Sequence, residues 1–345
     1  MDPVANPLPG TLPVLVKQRF TSTHILRWLA AQQNWDKIHF DQQYCREVAQ
    51  LDAPVINGAL KQHLIVQFLA HGLPGSWPWR IDYQFNGPDF VGDKLRVQGK
   101  MTGGQDVDGH TFISVAVEIF NIDRNQVTTL GNAVVVQNKP GKPPLLDAIG
   151  LRGPEVFGLN QSVSAAESGV PDSIRAHLGK RIDTKQSAYP IDHSRLRLFA
   201  EAVMDMAPIH FDVQAGAQSP WGSVVAPALF PLHGMEPRPG TLPLSEDARA
   251  LGREGVYEVG RNLAQVFGLD PAGGMNAGNR VEVHSLARVG ETVQADSTLV
   301  GAKRRTGTRG GEMFFFETLN RYTVSTGRPL ITERQTVVLR LVSGT

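Results

Sequence analysis

The chain has 345 residues, of which 34 are basic and 33 acidic, and its formal net charge is +1. Charges mixed in this way do not form the basic surface of a nucleic-acid-binding protein or of a protein drawn to anionic membranes. The length predicts two domains, each large enough to bury a core of its own.

The start of the chain lacks the basic and then apolar pattern of a signal peptide. The most apolar stretch, 60–73, contains lysine, glutamine and histidine, so we predict that it does not span a membrane. A single cysteine, Cys45, excludes an intrachain disulfide, and we expect it to be a packing residue. We therefore predict a soluble, cytoplasmic protein.

A predicted helix precedes each of two identical strings. Thr21 and Asp192 are suitable N-caps, and apolar residues follow each of them at helical spacing. The string Ile-His-Phe-Asp then occurs at 38–41 and again at 209–212, which is a separation of 171 residues. The agreement of helix and string indicates that the chain contains a duplicated domain.

The similarity continues beyond the strings. Residues 55–60 align with 224–229 at a separation of 169, and Gly92 aligns with Gly290 at a separation of 198. The second copy therefore has 29 additional residues, which we predict to lie in an inserted region within 230–278.

The remaining elements predict an α+β fold. A helix is expected from Pro54 to Ala70, because proline favours the first turn and Gly72 follows the end. Alternating apolar residues predict antiparallel strands, for example at 111–119, 280–284 and 312–316. One long helix followed by several strands, repeated once, is typical of a sheet wrapped on a helix. We assign 1–137 to domain one, 138–170 to a linker and 171–345 to domain two.

The motif Asp-x-x-Pro-Ile-His at 205–210 resembles the hydratase motif of the MaoC-like (R)-specific enoyl-CoA hydratases, Asp-x-Asn-Pro-Ile/Leu-His. Gly92 and Gly290 match the next landmark of that family. The resemblance implies a double hot-dog fold, in which two antiparallel sheets each wrap around a central helix. It also implies hydration of an α,β-unsaturated acyl-CoA thioester, or the reverse dehydration, by acid/base catalysis.

In this family an Asp and a His five residues apart hold one water, and a backbone N–H at the start of the central helix receives the thioester oxygen. The resemblance implies no metal and no cofactor, with coenzyme A present only as part of the substrate. The expected partner is an acyl-CoA or an acyl carrier protein thioester, and further pairing into a homodimer stays open.

Neither copy has the complete set of family residues. Copy one has Asn34 at the aspartate position, a carboxylate two residues later at Asp36, the histidine His39 and the helix-start glycine Gly58. This copy is similar to the catalytic half of mesaconyl-CoA and itaconyl-CoA hydratase-type proteins.

Copy two keeps both Asp205 and His210, but at a separation of 169 its Pro227 aligns with Gly58. Proline has no N–H, so the oxyanion donor would be absent. Copy two is similar to the FAS1-like, substrate-holding half of double hot-dog dehydratases. The sequence therefore favours copy one as the active site, although the retained Asp205 and His210 keep copy two as an alternative.

Two other functions remain alternatives, an acyl-CoA thioesterase and a non-catalytic acyl-thioester-binding subunit. We interpret Asp41 and Asp212 as cap or turn residues. The histidines within 63–71 lack the spacing of a zinc site, and the basic residues of 303–305 with Arg309 are interpreted as a solvated turn.

Overall fold

The computed structural model describes residues 10–17, 19–138, 141–154, 169–239, 263–269, 271–306 and 311–341. We call 10–138 half one and 169–341 half two. The elements of half one are β1 (Leu15–Lys17), α1 (Ser22–Gln32), a 3₁₀ helix (Lys37–His39), α2 (Gln42–Glu47), α3 (Gly58–Gly72), β2 (Trp77–Phe85), β3 (Leu95–Val107), β4 (His110–Asn121) and β5 (Gln126–Asn138).

Half two repeats this order with a short helix before it and another inserted. Its elements are α4 (Asp172–Arg175), β6 (Arg181–Gln186), α5 (His193–Val203), a 3₁₀ helix (Pro208–His210), α6 (Val213–Gln218), α7 (Phe230–His233), α8 (Leu263–Val266), β7 (Pro271–Val283), β8 (Val293–Thr306), β9 (Glu312–Val324) and β10 (Pro329–Leu341).

The ten strands form one antiparallel sheet in the order β1-β3-β4-β5-β2-β7-β10-β9-β8-β6. The predicted α+β architecture with antiparallel sheets is confirmed, and β2 of half one pairs with β7 of half two, which joins the two half-sheets edge to edge. Two ion pairs flank this junction symmetrically, Arg80 with Glu282 at 3.3 Å and Arg280 with Asp82 at 3.5 Å. The two sheet edges are thereby protected from pairing with another chain.

The predicted helix starts are confirmed. The Thr21 hydroxyl accepts a hydrogen bond from His24 N, and the Asp192 carboxylate accepts one from Arg195 N. The helix expected from Pro54 begins instead at Gly58. Asn57 is its N-cap, because the side-chain oxygen of Asn57 accepts a hydrogen bond from Ala59 N at 2.9 Å.

The central helix differs between the halves. In half one, α3 has 15 residues and packs on the inner face of its half-sheet, where Phe68 lies close to Gly99. In half two, α7 has only four residues. The predicted insertion 230–278 lies partly outside the described residues, and its last eight positions belong to β7, which begins at Pro271.

The helices of the two halves pack together around an approximate two-fold axis. Trp28 on α1 meets Phe199 on α5 edge to face, with 5.7 Å between ring centroids, and both side chains are fully buried. Beside them His63 Nε2 lies 3.2 Å from His233 Nδ1. Burial, and then the neighbouring His233, hold the pKa of His63 well below its ordinary value. The halves therefore share one core.

Cys45 is a packing residue, as expected. It is buried on α2, and its Sγ donates to Ile38 O at 3.3 Å. Burial, and then the charges of Asp41 and Asp36, together raise the pKa of this thiol to about 11. Because the thiolate is the reactive species, we expect Cys45 at about pH 8 to react with a thiol reagent ~100-fold more slowly in the folded than in the unfolded protein. Equal rates would contradict this placement.

Candidate active site

The 3₁₀ helix of half two places Asp205 beside His210. His210 Nδ1 lies 2.8 Å from Val225 O, an acceptor, so this nitrogen carries the proton in the neutral ring. His210 Nε2 then presents its lone pair, and it lies 3.5 Å from Asp205 Oδ2. The other carboxylate oxygen, Oδ1, accepts a hydrogen bond from Ala207 N at 3.3 Å. An imidazole nitrogen and a carboxylate oxygen thus face the same point.

The corresponding loop of half one is arranged differently. His39 Nδ1 lies 2.9 Å from Val55 O, as in half two, but His39 Nε2 lies 2.9 Å from the amide nitrogen of Asn57. That amide donates, so it occupies the lone pair that a base would need. Asn34 is buried, and its side-chain oxygen accepts a hydrogen bond from Asp36 N at 3.2 Å. Half one therefore holds its histidine in a closed, neutral hydrogen-bond network.

Matching hydrogen bonds establish which residues of the halves correspond. Three backbone hydrogen bonds recur in both halves. Val55 N donates to Ile38 O, as Val225 N does to Ile209 O. Ile56 N donates to Asp89 O, as Ala226 N does to Ala287 O, and Leu60 N donates to Asn57 O, as Phe230 N does to Pro227 O. The separation at this loop is therefore 170 residues rather than 169. Pro227 corresponds to Asn57, and Ala228 corresponds to Gly58.

This correspondence overturns the argument against half two. Ala228 has a backbone N–H at the position of the glycine donor, and no described residue accepts a hydrogen bond from it. What half two has lost is the side chain of Asn57, because Pro227 stands there. Since the amide that occupies His39 is missing, His210 is left facing Asp205. Sequence reasoning missed both Asn57 and Ala228 through this one-residue shift.

The other candidate carboxylates serve as helix caps. Asp36, a sequence candidate for catalysis, accepts a hydrogen bond from Ile38 N at 3.3 Å and caps the 3₁₀ helix. Asp41 and Asp212 cap α2 and α6 through Tyr44 N and Ala215 N, which confirms their interpretation as cap residues.

Half one also contains a buried ion pair that half two lacks. Lys61 Nζ lies 2.8 Å from Asp89 Oδ2, and both side chains are almost completely buried. The same Asp89 accepts the Ile56 N–H through its backbone oxygen. The pair therefore ties α3 to the loop before it. The corresponding positions in half two, Pro231 and Ala287, carry no charge.

Burial acts to raise the pKa of Asp205, but the hydrogen bond and charge of His210, with the N–H of Ala207 and the charge of His63, hold it below the ordinary 3.8. The charged carboxylate therefore stabilises the fold above that pH, and the stabilisation is lost as the pH falls through the folded-state pKa.

We expect Asp205→Asn to lower the free energy of unfolding at pH 7. The difference from wild type should shrink as the pH is lowered from 7 through the folded-state pKa, below which the wild-type carboxyl is itself protonated. Denaturant titrations of both proteins at a series of pH values measure this difference. A difference that does not change with pH would contradict the lowered pKa.

No group of three or more His, Cys, Asp or Glu suited to a metal ion occurs in the described ranges. In the same part of the chain, no helix is long and apolar enough to cross a membrane. Arg309 lies outside the described residues. Of its neighbours in the predicted basic turn, Arg304 pairs with Glu312.

Two family descriptions match the chain. Hydroxyacyl-thioester dehydratase type 2 matches residues 8–91 in half one, and the FAS1-like, dehydratase domain region matches residues 176–333 in half two. No curated protein matches the chain.

Solved structures share the whole architecture at low sequence identity. A MaoC domain protein dehydratase from Chloroflexus aurantiacus is 12% identical, with 96% of each chain covered and a TM-score of 0.65. A Mycobacterium tuberculosis protein described as having a double hot-dog fold is 11% identical, with 96% of each chain covered and a TM-score of 0.58.

The peroxisomal multifunctional enzyme type 2 of Drosophila melanogaster is 13% identical, with a TM-score of 0.53, and the match covers 95% of this chain and 48% of that one. At such identities these likenesses show the fold. The chain therefore has a double hot-dog fold, with a hydroxyacyl-thioester dehydratase type 2 region in half one and a FAS1-like dehydratase region in half two.

Proposed function

We propose that this protein adds water to an α,β-unsaturated acyl thioester to give a 3-hydroxyacyl thioester, or catalyses the reverse dehydration, at the site in half two. The observation that carries the proposal is that His210 Nε2 and Asp205 Oδ2 lie 3.5 Å apart. The proposal reverses the preference for half one that the sequence alone suggested.

The pair is suited to hold one water. Asp205 is ionised at neutral pH, because its pKa is below the ordinary value, and in the neutral form of His210 the lone pair lies at Nε2, since Nδ1 faces Val225 O. A water that donates one hydrogen to each of them keeps its own lone pair for the substrate. As this lone pair forms a bond to C3, the π electrons move through C2 to the thioester oxygen. The proton given up by the water passes to the pair and then to C2, which completes the addition.

The negative charge on the thioester oxygen requires a donor. The N–H of Ala228 occupies the position of Gly58 and donates to no described residue. A backbone N–H is held rigidly and needs no reorganisation during the reaction, so it stabilises the developing charge efficiently. Asp205, His210 and Ala228 together provide the three functions that the reaction requires.

Half one contributes no comparable base. The Nε2 of His39 already accepts a hydrogen bond from the Asn57 amide, and Asn34 stands in place of a carboxylate. We infer that half one helps to bind the acyl thioester and supports the site, and that half two carries out the chemistry. The derived steps use no metal or redox group. The acyl group is carried as a thioester of coenzyme A or of acyl carrier protein.

A panel of enoyl-CoA esters of different chain length tests the proposal, with loss of the enoyl absorbance as the readout. We expect hydration of at least one ester without release of free coenzyme A. Release of coenzyme A detected by a thiol reagent would indicate a thioesterase instead. Tight binding of the esters without any turnover would indicate a non-catalytic binding subunit.

A further inference from the structure

Three side chains of half one reach the end of α5, directly before Asp205. His24 Nε2 lies 3.2 Å from Ala202 O, Gln67 Nε2 donates to Val203 O at 2.7 Å, and Lys17 Nζ donates to Met204 O at 3.4 Å. The last carbonyls of a helix have no partner within the helix. Half one therefore supplies the groups that satisfy the end of α5.

Lys17 and Gln67 act as one unit. Lys17 Nζ donates to the side-chain oxygen of Gln67 at 2.7 Å, while the side-chain nitrogen of Gln67 reaches across to half two. Gln67 lies on the rigid α3, and Lys17 lies on β1. Burial lowers the pKa of Lys17, whereas the nearby charge of Asp205 raises it. The Lys17 ammonium and the Asp205 carboxylate therefore attract each other.

The backbone at this point depends on such support. Met204 ends α5 with a φ of 60°, a left-handed conformation that is unfavourable for a residue other than glycine. Asp205 is the next residue. A change in the turn at Met204 would rotate the Asp205 side chain away from His210.

The equivalent loop of half one is held in another way. The end of α1 is satisfied by its own Gln33, whose side-chain nitrogen donates to Ala30 O at 2.7 Å, and by Arg195, which donates to Ala31 O at 2.6 Å. The helix α7 ends at His233, before the residue that corresponds to Gln67. Ser187, whose N–H donates to Val293 O, stands at the position that corresponds to Lys17, which pairs with Leu95 on β3. The paired lysine and glutamine thus serve the half that retains the aspartate.

We propose that Lys17 and Gln67 are positioning residues for Asp205, through which half one orients the acid/base pair of half two. This inference rests on the proposed function. Neither residue need touch the substrate. They fix the turn at Met204, and a displacement of about 1 Å at the reacting groups costs on the order of 100-fold in rate.

Gln67→Leu and Lys17→Met in the full-length chain test the inference. Each is expected to lower kcat by roughly 10- to 100-fold while KM for the enoyl-CoA ester stays within about twofold. Lys17→Arg keeps the donor and the charge and should recover most of kcat. The matched control is Arg197→Ala, which removes an exposed ion pair with Glu201 from the same helix and should leave kcat unchanged.

Thermal unfolding of each variant separates positioning from loss of folded protein. A fall in kcat that follows the fraction of folded protein would overturn the inference. So would wild-type kcat in Gln67→Leu and Lys17→Met when His210→Ala is inactive, and that result would leave the proposed function intact. Absence of hydration by the wild-type protein would instead refute the proposed function itself.

Discussion

Replacing His210 by Ala is expected to lower kcat for enoyl-thioester hydration by about 10²- to 10⁴-fold, the usual contribution of a general acid/base. His210 Nε2 faces Asp205, so its removal takes away the group that accepts the water proton. Replacing His39 by Ala should lower kcat by less than about tenfold, because His39 Nε2 is already engaged by the Asn57 amide.

The two histidines make a matched pair for this experiment. Both are buried, and both donate through Nδ1 to the carbonyl of an equivalent valine. Their loss should therefore destabilise the protein to a similar extent, which thermal unfolding can verify. Inactivation by His39→Ala with activity retained in His210→Ala would transfer the site to half one.

Ala228→Pro is expected to lower kcat by about 10²- to 10³-fold, the cost of removing one oxyanion donor. The substitution removes the N–H that we assign to the thioester oxygen and changes no charge. Steady-state hydration rates measure the effect. Ala228→Gly, which keeps the N–H, is the control and should retain activity within a fewfold.

A second measurement guards against misfolding caused by two consecutive prolines at 227 and 228. Affinity for a saturated acyl-CoA should be largely preserved in Ala228→Pro, because the donor acts on charge that develops in the transition state. Wild-type kcat in a folded Ala228→Pro would show that the oxyanion donor lies elsewhere.

The fold could be predicted from the sequence because the duplication leaves local signals. Thr21 and Asp192 cap helices in both halves, and each signal depends on only a few neighbouring residues. Gly92 and Gly290 both adopt positive φ, at 102° and 89°, where glycine is favoured. The joining of the half-sheets through β2 and β7 left no such local signal.

The correspondence at the oxyanion position could not be read from the sequence. Both Val224-Val225 and Val225-Ala226 are apolar pairs that can be aligned with Val55-Ile56, and all four positions 224–227 are buried. Only the hydrogen bonds to Ile209 and Ala287 show that the separation of the two halves at this segment is 170 residues and not 169. That difference of one residue decided which half was expected to be active.

The support of Asp205 by half one was equally inaccessible. Lys17 and Gln67 lie 50 residues apart from one another, and Gln67 lies 136 residues from Val203. A lysine on a short strand and a glutamine on a helix are ordinary surface residues in any sequence pattern. Their role follows from how the two halves pack.

The most direct test of an active site in half two is a crystal structure of Asp205→Asn with a bound 3-hydroxyacyl-CoA. We predict that the C3 hydroxyl lies within hydrogen-bond distance of His210 Nε2 and of residue 205, and that the thioester oxygen accepts the Ala228 N–H. A ligand whose C3 hydroxyl lies beside His39, with its thioester oxygen on the N–H of Gly58, would contradict an active site in half two.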